Sequence, residues 1–387
     1  MNEPPTRVVL LGATGSVGRS AVRVLRRHAG RFRVVGLSAA RSADQLDALA
    51  TEFDPDFAVL ASLEPADHDD PGWGGEWRYG PGALAEAAAD RRADVVLNAL
   101  VGFAGLASTV AALEAGRRLA LANKESLVAG GDVVLRAWRE GGGEIVPVDS
   151  EHSAIHQCIG GRPRAEVRRL TLTASGGPFR GLPIERFDEI RAADALVHPT
   201  WEMGAKITVD SATLANKALE VIEAHLLFDM DFDDIDVVVH PTSIVHSLVE
   251  FRDGSTLAQL GRPTMELPIL YALTAPAHVA DGAEPFDPVE SGPLVFEPLR
   301  GDAFPMFGLG VAAGRAGGTH PAAYSAANEV AVKAFLRDRI GFLDIARVAE
   351  GVLEGWNRGP AGTVEEVAAA DEAARRSARE RIAALRG

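Results

Sequence analysis

The 387-residue sequence predicts an α/β protein: an N-terminal Rossmann-like, doubly wound parallel sheet, an α+β catalytic and dimerisation domain with an open sheet, and a C-terminal helical bundle. Three observations predict it. The apolar run from Thr6 to Leu11 leads directly into GATGSVG and a helical pattern through Val22 and Leu25. Apolar runs then alternate with helical periodicity as far as Asp149, the signature of parallel strands joined by crossover helices. Beyond that point come strands of mixed polarity, a Pro- and Gly-rich stretch, and amphipathic helices.

Six apolar runs supply the strands of the first sheet: TRVVLLG, RFRVVGLSA, DFAVLA, ADVVLNALVG, RRLALAN and EIVPVD. The first is followed by Gly12, Gly15 and Gly18, spaced GxxGxxG. Glycines after a strand and before a helix provide a tight turn, close backbone approach to a pyrophosphate and close helix packing, so residues 1–149 are expected to bind a dinucleotide. After the second strand, where a carboxylate would hold the ribose hydroxyl of NAD, the chain reads Ser38, Ala39, Ala40, Arg41, Ser42. An Arg and a Ser in place of an acid favour a 2′-phosphate, hence NADPH. The carboxyl ends of the later strands carry Asn98, Asn123, Lys124 and Glu125. Lys124 is a candidate for substrate contact, with the simple opening of a helix as the alternative.

The sixth strand runs into Asp149, Ser150, Glu151 and His152. Read as extended chain, this places the two carboxylates on one side. With Glu220 they offer three oxygen ligands, which suits Mg²⁺ or Mn²⁺; zinc fits less well, and a solvated turn is the alternative for the pair alone. His152 and His156 read as hydrogen-bonding residues, with metal ligation as the alternative.

Residues 150–274 are expected to form the catalytic (metal and substrate) and dimerisation domain. ASGGPFR ends a strand in a small-residue loop at Ser175, Gly176 and Gly177. The segment HPTWEMGAKITVDSATLANKALE then gathers His198, Trp201, Met203, Gly204, Ser211, Asn216, Lys217 and Glu220. Its expected geometry is a loop over the site followed by a helix capped by Asp210 or Ser211 and running to about Phe228. Leu214, Ala218, Val221 and Ile222 form one stripe of that helix; Thr213, Asn216, Lys217 and Glu220 form a second, polar one. A helix start with Ser211 and Lys217 nearby is a candidate phosphate seat. IDVVVHPTSIVHSLVEF and STLAQLG read as antiparallel strands of an open sheet, with His240 and His246 structural, and a long sheet edge invites a homodimer. Residues 275–300 read as a linker and 301–387 as a helical domain.

Bulk properties set the limits. Apolar residues make up 47% and charged residues 24%, a globular composition, and no apolar run nears the roughly 18 residues that cross a bilayer. The first residues lack the pattern of a signal peptide, so a cytoplasmic protein with no membrane partner is expected. The lone Cys158 excludes an internal disulfide and a cysteine-based zinc site. A net charge of −15 argues against nucleic-acid binding, though local lysines and helix starts can still hold a phosphate.

Taken together, GATGSVG, LANKESLV, VDSEHSAI, ASGGPFR, HPTWEMGAKITVDSATLANKALE and HPTSIVHS, in this order, resemble the 1-deoxy-D-xylulose 5-phosphate reductoisomerase family over nearly the whole chain. The resemblance implies an NADPH-dependent enzyme of non-mevalonate isoprenoid biosynthesis that rearranges a phosphorylated sugar and reduces the resulting aldehyde to 2-C-methyl-D-erythritol 4-phosphate. Retro-aldol cleavage with aldol recombination is the implied route, with an α-ketol shift as the alternative. It implies metal ligands at Asp149, Glu151 and Glu220. It places Ser175, Ser211, Asn216 and Lys217 on the substrate phosphate with His198 near it, and Lys124 and Ser150 at the carbonyl and hydroxyl end. Trp201 and Met203 would belong to a lid. Thr14, Gly15, Ser16, Val17, Ala40, Arg41, Ser42, Asn123, Glu125 and Gly204 match cofactor positions. Ala174 and Ala218 stand where glycine is expected in many members. A semialdehyde- or homoserine-type dehydrogenase would share the first half but needs no three carboxylates, and an NADP-sensing protein without turnover has no use for Lys124 beside them.

Overall fold

The computed structural model describes residues 4–68, 72–201, 203–357 and 359–385. It divides into two compact units. The first comprises the chain up to Ser126, with Val133–Ser153 and Thr264–Ala283; the second comprises Leu127–Asp132, Ala154–Pro263 and the chain from Glu284 on. Part of the stretch read as a linker packs with the first unit, and the C-terminal helices share one unit with residues 154–263.

The first unit is a doubly wound sheet. Its strands are β1 (Thr6–Leu11), β2 (Phe32–Ala39), β3 (Phe57–Leu60), β4 (Glu76–Tyr79), β5 (Val95–Asn98), β6 (Arg118–Leu121) and β7 (Glu144–Pro147), in the order β4-β3-β2-β1-β5-β6-β7. All neighbours are parallel. The inner strands are buried along their length, which is why they read as continuous apolar runs. The strand β4 is the one missed from sequence. EWRY is an edge strand of mixed polarity that leaves Glu76 exposed, so no apolar run announces it. Helices α1 (Ser16–Arg27), α2 (Ala43–Phe53), α3 (Gly82–Ala88) and α4 (Leu106–Glu114) connect the strands, and α5 (Lys124–Gly141) and α6 (Ser150–Ile159) follow β6 and β7. The strand order reverses between β1 and β5, and the carboxyl ends at such a switch point are where ligands of this architecture sit.

The second unit combines a five-stranded sheet with helices. The strands β8 (Val167–Ala174), β9 (Ile235–Val239), β10 (Val245–Phe251), β11 (Thr256–Leu260) and β12 (Glu297–Pro298) lie in the order β11-β10-β8-β9-β12. The expected antiparallel pairing holds for β10 and β11, but β9 does not pair with β10: β8 lies between them, antiparallel to β10 and parallel to β9. The short helix α7 (Ala192–Ala195) precedes α8 (Ala205–Ala212) and α9 (Ala215–Phe228). Of the remaining helices, α10 (Glu266–Thr274) belongs to the first unit, while α11 (Pro305–Ala316), α12 (His320–Phe335), α13 (Phe342–Glu354) and α14 (Val364–Ala384) belong to the second. The apolar faces of α8, α9 and α11 to α14 share one core through Val209, Leu219, Tyr324, Phe335, Ile345 and Ala374. Among the described residues no helix is long and apolar enough to cross a membrane.

The expected helix from Asp210 to Phe228 is in fact two. Asp210 and Ser211 lie in the last turn of α8, and the chain then turns at Leu214, whose φ is 60°, before α9 begins. A leucine in the left-handed region carries a steric cost, and here burial of its side chain in the core holds it. The second correction concerns Asp149 to His152, which is not extended: Asp149 precedes α6, and Glu151 lies in its first turn.

Candidate active site

In the first unit, glycine is required where the turn after β1 is tightest. Gly12 has φ +83°, and a Cβ on it would stand 2.7 Å from the carbonyl oxygen of Ala99 at the end of β5. A Cβ on Gly18 would stand 2.1 Å from the Gly12 carbonyl oxygen, so α1 approaches the turn as only glycine permits. The start of α1 is left open. Gly15 caps it with no side-chain hydrogen bond, and its first turn holds no acid. Thr14, Gly15 and Val17 are partly exposed and Ser16 is exposed. This cradle fits a pyrophosphate, which free N–H groups and a helix dipole attract. At the end of β2, Ala40 and Arg41 are exposed, and Ser42 caps α2 without using its side chain for the cap.

Two buried asparagines shape the neighbouring loop. Asn98 donates to the Gly105 carbonyl at 3.1 Å and to Thr109 Oγ1 at 2.9 Å, and accepts from Leu100 N. Asn123 donates to the carbonyls of Leu100 at 2.8 Å and Gly102 at 3.0 Å, while its Oδ1 accepts from Ser126 N and caps α5. Its side-chain donors are spent on the loop, so any contact of Asn123 with a cofactor falls to its backbone. The cap fixes the start of α5, where Lys124 is 5% exposed and Glu125 is partly exposed.

Lys124 Nζ lies 2.7 Å from Asp149 Oδ2, and His152 Nδ1 lies 3.1 Å from Asp149 Oδ1. Burial alone would raise the Asp149 carboxyl, but the Lys124 ammonium and the His152 contact hold it well below the usual carboxylate range. Asp149 is thus an anion, ready to ligate. Ser150 Oγ donates to Glu151 Oε2 at 2.6 Å, and Glu151 remains partly exposed.

In the second unit, β8 ends at Ala174, and Ser175 opens a loop that two left-handed glycines turn back. A Cβ on Gly177 would meet the Ser211 carbonyl oxygen at 2.8 Å, so glycine lets this loop lie against the end of α8. The three polar residues then meet: His198 Nε2 is 3.0 Å from Ser175 Oγ and 3.2 Å from Ser211 Oγ. Burial lowers the His198 pKa, which favours the neutral ring. Trp201, whose backbone N–H donates to the His198 ring, is half-buried, as is Met203, and Gly204 is the exposed cap of α8. The Trp201 ring packs against His246, centroids 6.3 Å apart, so His246 supports the loop.

The polar stripe of α9 is not a solvated face. Lys217 is 5% exposed and Glu220 is 1% exposed. The Lys217 ammonium donates to a Glu220 carboxylate oxygen and to the Thr173 carbonyl, and Asn216 Nδ2 donates to the other Glu220 oxygen. Sequence reasoning offered Asp210 as a helix cap, but it anchors α8 from within: also 1% exposed, it accepts from Lys206 at 2.7 Å and from Asn328 of α12 at 2.8 Å. The only sequence signal was an acid inside an apolar helix pattern.

The first unit offers a nucleotide cradle and a carboxylate held beside a lysine; the second offers a seat rich in hydroxyls and a carboxylate of its own held beside a lysine. Comparison with known proteins bears on their use. The family model described as 1-deoxy-D-xylulose 5-phosphate reductoisomerase matches residues 8–131, that of the enzyme's C-terminal domain matches 145–228, and one described as DXP reductoisomerase C-terminal domain matches 260–377. The chain is 49% identical to the 1-deoxy-D-xylulose 5-phosphate reductoisomerase of Cupriavidus metallidurans, over 98% of this chain and 99% of that one. It is 46% identical to that of Thermosynechococcus vestitus, over 98% and 94%. Among solved structures it is similar to the Zymomonas mobilis enzyme in complex with NADPH, with TM-score 0.91 and 40% identity over 98% and 99% of the chains. It is also similar to a DOX-P reductoisomerase in complex with NADPH, fosmidomycin and magnesium, with TM-score 0.94 and 39% identity over 98% and 99%.

Proposed function

Since the chain belongs to the 1-deoxy-D-xylulose 5-phosphate reductoisomerase family, and is an NADPH- and divalent-metal-dependent oxidoreductase with that activity, we propose how its residues divide the work. Asp149, Glu151 and Glu220 hold one Mg²⁺ or Mn²⁺. The donor set supports this: all three are carboxylates, Asp149 is kept ionised, and oxygen ligands suit a hard cation. Thr14, Gly15, Ser16 and Val17 seat the pyrophosphate of NADPH, and Arg41 and Ser42 with Ala40 take its 2′-phosphate end. Asn123, Glu125 and Gly204 complete the cofactor contacts, Asn123 through its backbone.

Ser175, Ser211, Asn216 and Lys217 receive the substrate phosphate, with His198 near it. Lys124 and Ser150, beside the ligating carboxylates, face the carbonyl and hydroxyl end of the sugar. Trp201 and Met203 close over it, excluding water while the carbon skeleton rearranges. When bound, the cation supplies Lewis acidity to adjacent substrate oxygens and NADPH supplies the hydride that reduces the aldehyde. Lys124 then stabilises negative charge on a substrate oxygen, its ammonium already fixed by Asp149.

The observation that carries this reading is the pair of buried lysine–carboxylate contacts, Lys124 with Asp149 and Lys217 with Glu220. Burying ion pairs adds little stability against an apolar core, so their retention here supports a chemical use. We further propose residues 1–149 as the NADPH-binding part and 150–274 as the catalytic and dimerisation part, joined through 275–300 to a helical part at 301–387. A cytoplasmic homodimer is the proposed assembly, supported by the exposed edge strand β11, whose Leu257 is 41% exposed.

Adding 1-deoxy-D-xylulose 5-phosphate with Mg²⁺ or Mn²⁺ is expected to oxidise NADPH, read by its absorbance, and chelation should abolish the signal. Oxidation that persists in metal-free protein would overturn the metal assignment. For the cofactor, Arg41→Ala should weaken NADPH binding about 30-fold, the strength of one charge-assisted hydrogen bond of roughly 2 kcal/mol, and change NADH binding little. An unchanged NADPH/NADH ratio would remove Arg41 from the site.

A further inference from the structure

The ring of His198 is held from both ends. Its Nδ1 is 3.1 Å from the backbone nitrogen of Thr200 and 2.9 Å from that of Trp201, and both are N–H donors. A ring nitrogen that accepts two N–H bonds carries no proton, so the neutral ring bears its hydrogen on Nε2. That nitrogen faces Ser175 Oγ and Ser211 Oγ. Ser175 Oγ also accepts from Gly177 N at 3.2 Å. A hydroxyl oxygen that accepts from the ring and the loop sends its own hydrogen elsewhere, outward to an incoming anion.

We propose that His198 is a positioning residue that couples the lid to the anion seat: Nδ1 folds the Thr200–Trp201 turn by taking its amide hydrogens, while Nε2–H turns the Ser175 and Ser211 hydroxyls into donors for the substrate phosphate. The coupling rests on the reading of these serines as the phosphate seat. It is reciprocal by linkage: phosphate that fixes the serines fixes the ring and so the turn beneath Trp201, and a lid that opens frees the ring and disorients the serines.

The two functions of the ring separate in two variants. In His198→Asn the amide oxygen stands where Nδ1 stood and keeps the turn, as asparagine does in turns generally, but it does not reach the serines. In His198→Gln the amide reaches toward the serines and the turn loses its acceptor. Ring ¹⁵N NMR of the unliganded wild type should show an unprotonated Nδ1 and a protonated Nε2. Trp201 is read by ¹⁹F NMR of 5-fluorotryptophan-labelled protein, its resonance assigned among the five tryptophans by Trp201→Phe.

Inorganic phosphate should shift the Trp201 resonance in the wild type. In His198→Asn the resonance should start at the wild-type position, phosphate should bind about tenfold more weakly, and its binding should no longer move Trp201. His198→Gln should keep phosphate affinity within about threefold, with Trp201 displaced before any phosphate is added. Equal behaviour of the two variants, both with wild-type melting curves, overturns the coupling. A protonated Nδ1 with phosphate bound overturns the coupling alone; the expected tautomer with no phosphate binding in the wild type overturns the phosphate seat and the coupling with it.

Discussion

Glu220→Gln is expected to lower kcat by about 10³-fold or more, at least roughly 4 kcal/mol of transition-state stabilisation, with NADPH affinity little changed. Glutamine keeps the shape and an oxygen for Asn216, but removes the charge. The proposed cation then has two anionic ligands instead of three, and Mn²⁺ affinity measured by electron paramagnetic resonance should fall about 100-fold. A second effect has to be separated from the first. The Lys217 ammonium, 5% exposed, donates to Glu220 as well as to the Thr173 carbonyl, and the substitution takes that anionic partner away. Uncompensated buried charges cost up to about 3–5 kcal/mol, so the melting temperature should drop. Glu220→Gln with Lys217→Met should recover much of that stability and none of the turnover. Apart from Gly204, the residues proposed for NADPH lie in the first unit, whereas Glu220 lies in the second, so parallel loss of turnover and NADPH affinity would mark Glu220 as structural.

How the sequence encodes these features explains what it revealed. Strands β1, β2, β3, β5, β6 and β7 are buried along most of their length and so write themselves as apolar runs; β4, half exposed at an edge, does not. The division between α8 and α9 was hidden for a different reason. It turns on Leu214 at positive φ with neither glycine nor proline to mark it, and tertiary burial decides it. The turn at Asp149 was misread because the apolar run of β7 ends only two residues earlier, which gave no sign that α6 starts at Ser150.

The candidate residues themselves stood out as chemical types in a short segment. Their partners did not. That Lys217 pairs with Glu220 is visible at i, i+3, whereas Lys124 with Asp149 and Asp210 with Asn328 join residues 25 and 118 positions apart, a separation only the fold can close.

Gly18→Ala should weaken NADPH binding about 100-fold or more, roughly 3 kcal/mol, through a single added methyl group. The methyl would stand 2.1 Å from the Gly12 carbonyl oxygen and 2.7 Å from the carbonyl carbon and oxygen of Ala13. All three are backbone atoms, so no flexible side chain can swing away; the turn or the start of α1 has to move. The turn has little freedom. Gly12 already sits at φ +83° against the Ala99 carbonyl, and its N–H donates to Ser38 Oγ at 2.9 Å. Displacing α1 pulls the N–H groups behind Gly15 away from the pyrophosphate, and a charge-assisted hydrogen bond stretched by about half an ångström keeps little of its strength. Strain of this kind also costs about 1–3 kcal/mol of stability, so the variant should melt earlier without NADPH. Gly30→Ala is the control, since a Cβ there meets nothing within 4 Å. Fluorescence titration with NADPH should separate the two variants by about two orders of magnitude, while inorganic phosphate, whose proposed seat lies in the second unit, should bind both alike. Equal NADPH affinity in Gly18→Ala and Gly30→Ala would mean that the cofactor does not rest on this turn.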